Sequence, residues 1–385
     1  MYRVLSSAAI FALIAATPAW AEVIKSEKAQ LQVEIVADGL DHPWGLAFLP
    51  DGTMLVTERK GNLRTVTPAG EVSGPIGGVP EVDARGQGGL LDVALDPDFA
   101  SNRLVYVSFA EPGDGGNSTA VARGRLAEDA GSLTEVEIIF SQKPKVASTK
   151  HFGSRLVFDG NGHLFVTLGE RSDEQFREMA QTLDNHLGKI VRINPDGSVP
   201  DDNPFVGNQD ALPEIWSYGH RNVQAAVFDR ETGTLWEIEH GPRGGDELNI
   251  AEPGKNYGWP VVSHGINYGG TPVGGGQKAA PGMVDPIYQW TPVIAPSGMT
   301  IYRGEQFDAW QGNILVGGLR SAALVRLELD GGKVVHEERL LESRGKRIRD
   351  VVEGPKGAIY LVTDESNGEI IRLTAPVGKQ STLAD

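Results

Sequence analysis

A short pattern recurs six times along this chain: a polar turn, an apolar run, then charged or polar residues. It reads DGTMLVTER (51–59), NRLVYVSFAE (102–111), NGHLFVTLGER (161–171), TGTLWEIEHG (232–241), QGNILVGGLR (311–320) and KGAIYLVTDE (356–365). The apolar runs are short and rich in β-branched and aromatic residues. Asp-Gly, Asn-Gly and Lys-Gly turns bound them, which predicts strands. One strand-turn unit cannot bury its own apolar face, but six arranged radially can share a core. The expected fold class is all-β, a six-bladed propeller. LQVEIVA (31–37) is a strand outside the six, placed to complete the last blade and close the ring. The polar residues that end each run would gather at one face or in the central channel.

The 49 glycines and 23 prolines fit a turn-rich chain. Helical periodicity is scarce. DEQFREMAQTLDNHLG (173–188) is the best helix candidate, capped by Ser172 or Asp173 and stopped by Gly188. GGTPVGGG (269–276) reads as a flexible loop; no Lys-Ser/Thr follows, so it is not a phosphate cradle.

Residues 1–21 read as a secretory signal: Arg3, an apolar stretch over 4–16, then Ala19-Trp20-Ala21 as an A-x-A cleavage site. A buried or anchoring helix is the alternative. The signal predicts cleavage after Ala21, export to the periplasm, and a mature chain (22–385) that forms a single propeller domain. No later segment is long and apolar enough to span a membrane. The absence of cysteine excludes thiolate metal sites, a cysteine nucleophile, covalent haem and disulfides. A formal charge of −16 disfavours nucleic acid and anionic membrane as partners. A local cationic pocket in such an acidic chain therefore needs a reason.

No HExxH, no G-x-S-x-G elbow and no G-x-G-x-x-G opening a helix is present. In APSGM (295–299), Pro296 precedes Ser297 and the first glycine is missing, so Ser297 reads as a turn residue. The densest polar segment is 217–260. His220, Arg221 and Asn222 stand in a row there, followed by Glu239, His240, Gly241, Pro242, Asp246 and Glu247. Carboxylates with carbonyls from a Gly-Pro turn suit Ca²⁺, and they equally suit a solvated acidic turn. His151 precedes the third repeat, where a histidine is either a base or a structural group. Arg347 and Arg349 flank Ile348, so on a strand they share a side. There they either clamp a polycarboxylate or pair with the chain's own acids.

Taken in order, HPWGLAFLPDGTMLVTERKGNLR (42–64), GQGGLLDVALDPDF (86–99), HFGSRLVFDGNGHLFVTLGE (151–170), LGKIVRINPDGSVPDDNPF (187–205), SYGHRN, EHGPRGGDELN, NYGWP (256–260), WTPVIAPSGM (290–299) and RIRDVV (347–352) form a specific signature. With these the chain resembles the soluble periplasmic quinoprotein sugar dehydrogenases, the glucose/sorbosone dehydrogenase family, over essentially the whole mature chain. The resemblance implies a six-bladed propeller enzyme. Such an enzyme oxidises the C1 hydroxyl of aldose sugars to lactones with pyrroloquinoline quinone (PQQ) and Ca²⁺, and passes electrons to an external acceptor.

Position by position, the resemblance makes His151 the catalytic base and Gln87 a cofactor-contacting amide. Arg221 and Asn222 would stand beside the reactive quinone carbonyl. Gly241 and Pro242 would supply the carbonyls that hold the cofactor's Ca²⁺, with Glu247 and the Tyr257 carbonyl at a second, structural calcium. Tyr268 and Arg320 would neighbour the cofactor, Arg347 and Arg349 would clamp its carboxylates, and Glu170 would lie near the sugar. Lys150 departs from the acidic residue that the glucose-oxidising branch carries there, and the loop after Tyr268 is shorter. Dimerisation, the full calcium set and glucose preference therefore do not carry over. Two other functions are open to such a propeller. One is a calcium-dependent lactonase or other hydrolase, which needs a carboxylate-dominated centre. The other is a non-catalytic sugar-binding module.

Overall fold

The computed structural model describes residues 22–376; the expected signal and its cleavage site lie outside these residues. Six antiparallel sheets follow one another around a ring. Their innermost strands are Pro43–Phe48, Leu90–Leu95, Gly153–Phe158, Val223–Asp229, Pro296–Ile301 and Ile348–Glu353, and each packs on the inner strands of its two neighbours. We number the blades one to six in that order. Every one of the six sequence repeats forms the second strand of a blade: Met54–Glu58, Leu104–Gly113, Leu164–Leu168, Thr234–Glu239, Ile314–Gly318 and Ile359–Thr363. These strands are buried on both faces between their neighbours, which is why their apolar runs are nearly continuous.

Blade six is built from both ends of the chain. Gln30–Leu40 pairs with Gly368–Thr374, with Val33 opposite Leu373 and Ile35 opposite Ile371, and Glu22–Lys25 adds a further edge strand. The run at 31–37 thus closes the ring as expected. Apolar side chains fill the spaces between blades. Trp236, Leu248 and Trp290 of blade four meet Met299, Val316 and Val325 of blade five, for example, and burial of that area is the main stabilising term.

Hydroxyl and carboxylate side chains stitch the blades together near the channel. Thr57 bonds to the Leu91 carbonyl, Ser108 to that of Ser154 (2.6 Å) and Thr167 to that of Val223 (2.9 Å). Asp246 accepts from Ala295 N–H (2.8 Å), and Asp350 accepts from Leu46 N–H (3.1 Å). Ser297 belongs to this set, which corrects its reading as a turn residue. It lies in the inner strand of blade five, is buried, and its Oγ reaches the Ile348 carbonyl at 2.6 Å.

The expected helix over 173–188 is also corrected. A 3₁₀ helix covers only Glu174–Gln181, and neither predicted cap makes a side-chain capping bond. Its carbonyls turn instead to tertiary donors: Lys189 Nζ donates to Met179 and Ala180, and Gly219 N–H also donates to Ala180. That use of carbonyls competes with the i→i+4 ladder.

Candidate active site

All six inner strands shift register near their first residues, between Pro43/Leu46, Leu90/Val93, Gly153/Leu156, Val223/Ala225, Pro296/Met299 and Ile348/Asp350. An extra residue at a strand end re-aims a side chain. Here the bulges turn Trp44, Leu91, Gln224 and Arg349 into the wall of one cavity of about 270 Å³. Arg59, Gln87, Asn222, His240, Arg347 and Asp364 also line it.

Below this cavity a charged cluster plugs the channel. Arg155 Nη1 lies 2.9 Å from Asp92 Oδ1 and 3.2 Å from Asp350 Oδ1, and its guanidinium stacks on Trp44 at 4.6 Å. Gly45 and Gly298 make room for the two aspartates. A Cβ at Gly298 would stand 2.1 Å from Asp350 Oδ1, and one at Gly45 2.7 Å from Asp92 Oδ1. Burial lifts the Asp92 carboxyl to about 6 against the pull of Arg155.

The two arginines at 347 and 349 converge as the strand geometry requires. Asp364 Oδ2 accepts from Arg347 Nη2 at 3.0 Å and from Arg349 Nη2 at 2.9 Å, while Oδ1 meets His42 Nδ1 at 3.1 Å. Burial alone would raise the Asp364 carboxyl. The Arg349 guanidinium, aided by His42 and Arg347, holds it well below the ordinary carboxylate range instead. The side chain of Arg349 is 9% exposed and that of Arg347 47%, so one arginine is part of the floor and the other belongs to the rim.

His151 sits at the edge of this cavity with a left-handed backbone (φ 50°), an uncommon conformation for a non-glycine residue. Its N–H donates to Gln87 Oε1 at 2.8 Å, and the next turn is pinned by Gly153 N–H to Asn222 Oδ1 at 3.1 Å. Its ring Nδ1 lies 3.2 Å from Glu170 Oε1, and both side chains are buried. Burial and the nearby Arg221 charge push the imidazole below its usual value, with Glu170 opposing. Burial would raise Glu170, but His151 and Arg221 prevail and lower it. An ionised Glu170 can only accept, so the Nδ1 proton belongs to His151 and its Nε2 carries the lone pair. Glu170 is thus placed behind the imidazole and shares no cavity wall.

Arg221 is buried, stacks on Trp259 at 5.0 Å, and donates from Nη1 to the carbonyls of His240 (2.9 Å) and Gly241 (2.7 Å). A second cavity, only about 10 Å³, is lined by Arg221, Glu239, His240, Gly241, Pro242, Glu247 and Tyr257 among others. His240 faces both cavities. Its Nε2 meets the Pro296 carbonyl at 2.5 Å, so Nε2 bears the proton, and burial drives its pKa down to about 3. Asp246 shapes the turn by accepting from Gly241 N–H at 2.9 Å.

The structure therefore brings together Gln87, Asn222, Arg347 and Arg349 around one cavity, with His151 and Glu170 at its edge. Arg221, Gly241, Pro242, Glu247 and Tyr257 meet around the other. It does not bring in Tyr268, which is 71% exposed, or Arg320, which is exposed and outside both walls. The residues that sequence reasoning missed are Trp44, Arg155, Gln224, His240 and Asp364. Two of them carried a signal: His240 in its place beside the Gly-Pro turn, and Asp364 as one of the polar residues that end the sixth repeat.

The model of the Glucose / Sorbosone dehydrogenase family matches residues 40–372. Aldose sugar dehydrogenase YliI of Escherichia coli is 47% identical over 350 residues, covering 90% of this chain and 93% of the relative. A solved structure described as glucose dehydrogenase superposes with a TM-score of 0.87 at 50% identity, over 90% of this chain and all of the other. The PQQ-bound form of an aldose sugar dehydrogenase from Streptomyces coelicolor gives 0.75 at 32% identity, over 90% of this chain and 98% of the other. The chain belongs to the glucose/sorbosone dehydrogenase family.

Proposed function

We propose that this enzyme oxidises the C1 hydroxyl of aldoses to the lactone, with PQQ in the larger cavity, Ca²⁺ at the Gly241–Pro242 turn, and electrons leaving to an external acceptor. The observation that carries the reading is a cavity walled by paired arginines, with a buried His–Glu pair held at its edge through Gln87. Arg347 and Arg349, with Arg59 also in the cavity wall, suit a flat polycarboxylate. In this reading both calcium positions adjoin the smaller cavity, which Gly241, Pro242, Glu247 and Tyr257 line. Its donors are carbonyl and carboxylate oxygens, and burial with the Glu239 charge pushes Glu247 well above its ordinary range, a cost a cation removes.

When bound, the quinone supplies the hydride-accepting carbon and the calcium ion the Lewis acid. The protein supplies the rest. His151 Nε2 takes the proton of the sugar hydroxyl, and its depressed pKa keeps it neutral at pH 7. Glu170 fixes the tautomer and stabilises the imidazolium that forms. Arg221 offers a fixed cation where negative charge develops. Glu247 and the Tyr257 carbonyl would hold a second, structural calcium. The test is reconstitution of purified protein with PQQ and Ca²⁺, assayed by dye reduction with glucose and other aldoses. Activity that requires both additions supports the reading. Lactone hydrolysis without quinone points to the hydrolase instead.

A further inference from the structure

One buried cluster beside the smaller cavity supplies no ligand or proton to the chemistry above. Glu237 and Glu239 occupy alternate positions of the strand Thr234–Glu239 and so share a face. Their partners on the next strand, Asn249 and Glu247, share it too. His220 reaches this face from the turn before blade four. Its Nδ1 lies 3.2 Å from Glu239 Oε1 and 3.7 Å from Glu237 Oε1, and three such ligand atoms lie within 4.8 Å of one another. His220 and Glu237 are 0% exposed and Glu239 4%.

The hydrogen bonds of this cluster leave oxygens over. Asn249 Nδ2 donates to Glu237 Oε1 at 2.8 Å, which holds the rest of the amide beside the cluster. Glu237 Oε2 and Asn249 Oδ1 are buried without partners. Both are acceptors, so the missing group is a donor or a cation. Among the described residues no lysine or arginine pairs with Glu237 or Glu239 through its side chain; their ion-pair partner is His220 alone. Burial and the Glu239 charge push the Glu237 carboxyl well above its ordinary range. The far side of the imidazole is also held, with Nε2 2.8 Å from Ser217 Oγ. Metal-bound histidines carry this kind of outer partner.

We propose that His220 Nδ1, Glu237 and Glu239 bind a buried divalent transition ion of the zinc class, with a spare oxygen of Glu237 or Asn249 completing the set. An imidazole with two carboxylates matches zinc rather than calcium, which takes oxygen ligands. Ligand atoms about 2.0 Å from a tetrahedral ion stand roughly 3.3 Å apart, close to the 3.2 and 3.7 Å between His220 Nδ1 and the two carboxylates. The site takes no ligand atom from Gly241, Pro242, Glu247 or Tyr257, although it adjoins them: Glu239 also lines the smaller cavity and His220 stacks on Tyr257 at 4.6 Å. Its role is structural. Glu239 Oε2 also accepts from the Arg221 N–H, so an ion here locks the backbone that carries Arg221 and Asn222.

Metal counting tests this. The full chain is produced with added zinc, dialysed against metal-free buffer without chelator, and examined by plasma mass spectrometry. Crystals are measured on both sides of the zinc absorption edge. The expected result is about one zinc per chain after dialysis, an anomalous peak between His220, Glu237 and Glu239, and at least a tenfold lower zinc content in Glu237→Gln. Less than a tenth of an equivalent in the wild type, or a peak elsewhere, overturns the proposal. Should Glu237→Gln fail to fold, the wild-type anomalous map decides by itself.

Discussion

Arg221 Nη1 donates to the carbonyl oxygen of Gly241 at 2.7 Å, the same oxygen proposed to coordinate calcium. The guanidinium and the ion therefore compete for one acceptor. Two like charges a few ångströms apart repel by a few kcal/mol even at an effective dielectric of about 20. In quinone-free protein, Arg221→Ala should bind Ca²⁺ at this turn at least about tenfold more tightly while losing turnover after reconstitution. Calorimetric titration in a Glu247→Gln background, which removes the neighbouring cation position, reads this directly. Unchanged or weaker affinity would mean that the carbonyl serves no calcium.

His151 and Glu170 make a prediction about pH. Burial and Arg221 lower the imidazole, so the base stays unprotonated to a pH below its ordinary 6.5. The acid limb of kcat/KM should lie below that value. Glu170 is the main influence raising the imidazole. Its removal in Glu170→Gln should shift the limb further toward acid and lower the rate, since the tautomer is no longer enforced. His151→Ala should cost about 10²–10⁴-fold in turnover with quinone affinity retained. An acid limb that moves upward in Glu170→Gln contradicts the pairing.

The arginine clamp should act unequally. Arg349 is buried against Asp364, and truncating a desolvated partner costs roughly 2–5 kcal/mol of ligand affinity. Arg347 is nearly half exposed, so solvent screening holds its loss to about 1 kcal/mol or less. Quinone titrations monitored by tryptophan fluorescence should rank wild type, Arg347→Ala and Arg349→Ala in that order. Aldose preference should stay unchanged once the protein is saturated. Equal affinities in all three would remove these residues from cofactor binding.

Arg155 should matter for stability more than for affinity. Its truncation strands Asp92 and Asp350 against each other in the channel, and breaking such a buried network costs about 3–5 kcal/mol. Urea denaturation of Arg155→Met should show a lower midpoint at an unchanged slope. A midpoint equal to wild type would mean the two aspartates are neutral without it.

The architecture was legible because it repeats. Each apolar run with its turn marks the second strand of a blade, and the strand at 31–37, outside the six repeats, closes the open edge of the last blade. The arginine pair was legible for a similarly local reason, the two-residue period of a strand. The roles of Asp364, Arg155 and Trp44 were not. They depend on six bulges and on contacts between blades, and nothing in DESNG or SRLVF marks those. Glu170 was visible in position but not in orientation, which only the approach of His151 reveals. The helix expected over 173–188 shrank because Lys189 and Gly219 claim its carbonyls, and tertiary donors of that kind leave no periodic trace.

The seam in blade six carries a consequence for how the molecule is made. Glu34 and Arg372 meet across it although 338 positions separate them. Blades one to five can form from neighbouring segments as these emerge, but the circle cannot shut until the final strand has been synthesised. Every earlier intermediate carries two raw sheet edges and an unfinished channel. A product terminated before residue 364 would lack the last strand and also Asp364, which holds both clamp arginines. The seam thus makes a complete polypeptide the condition for a complete binding site.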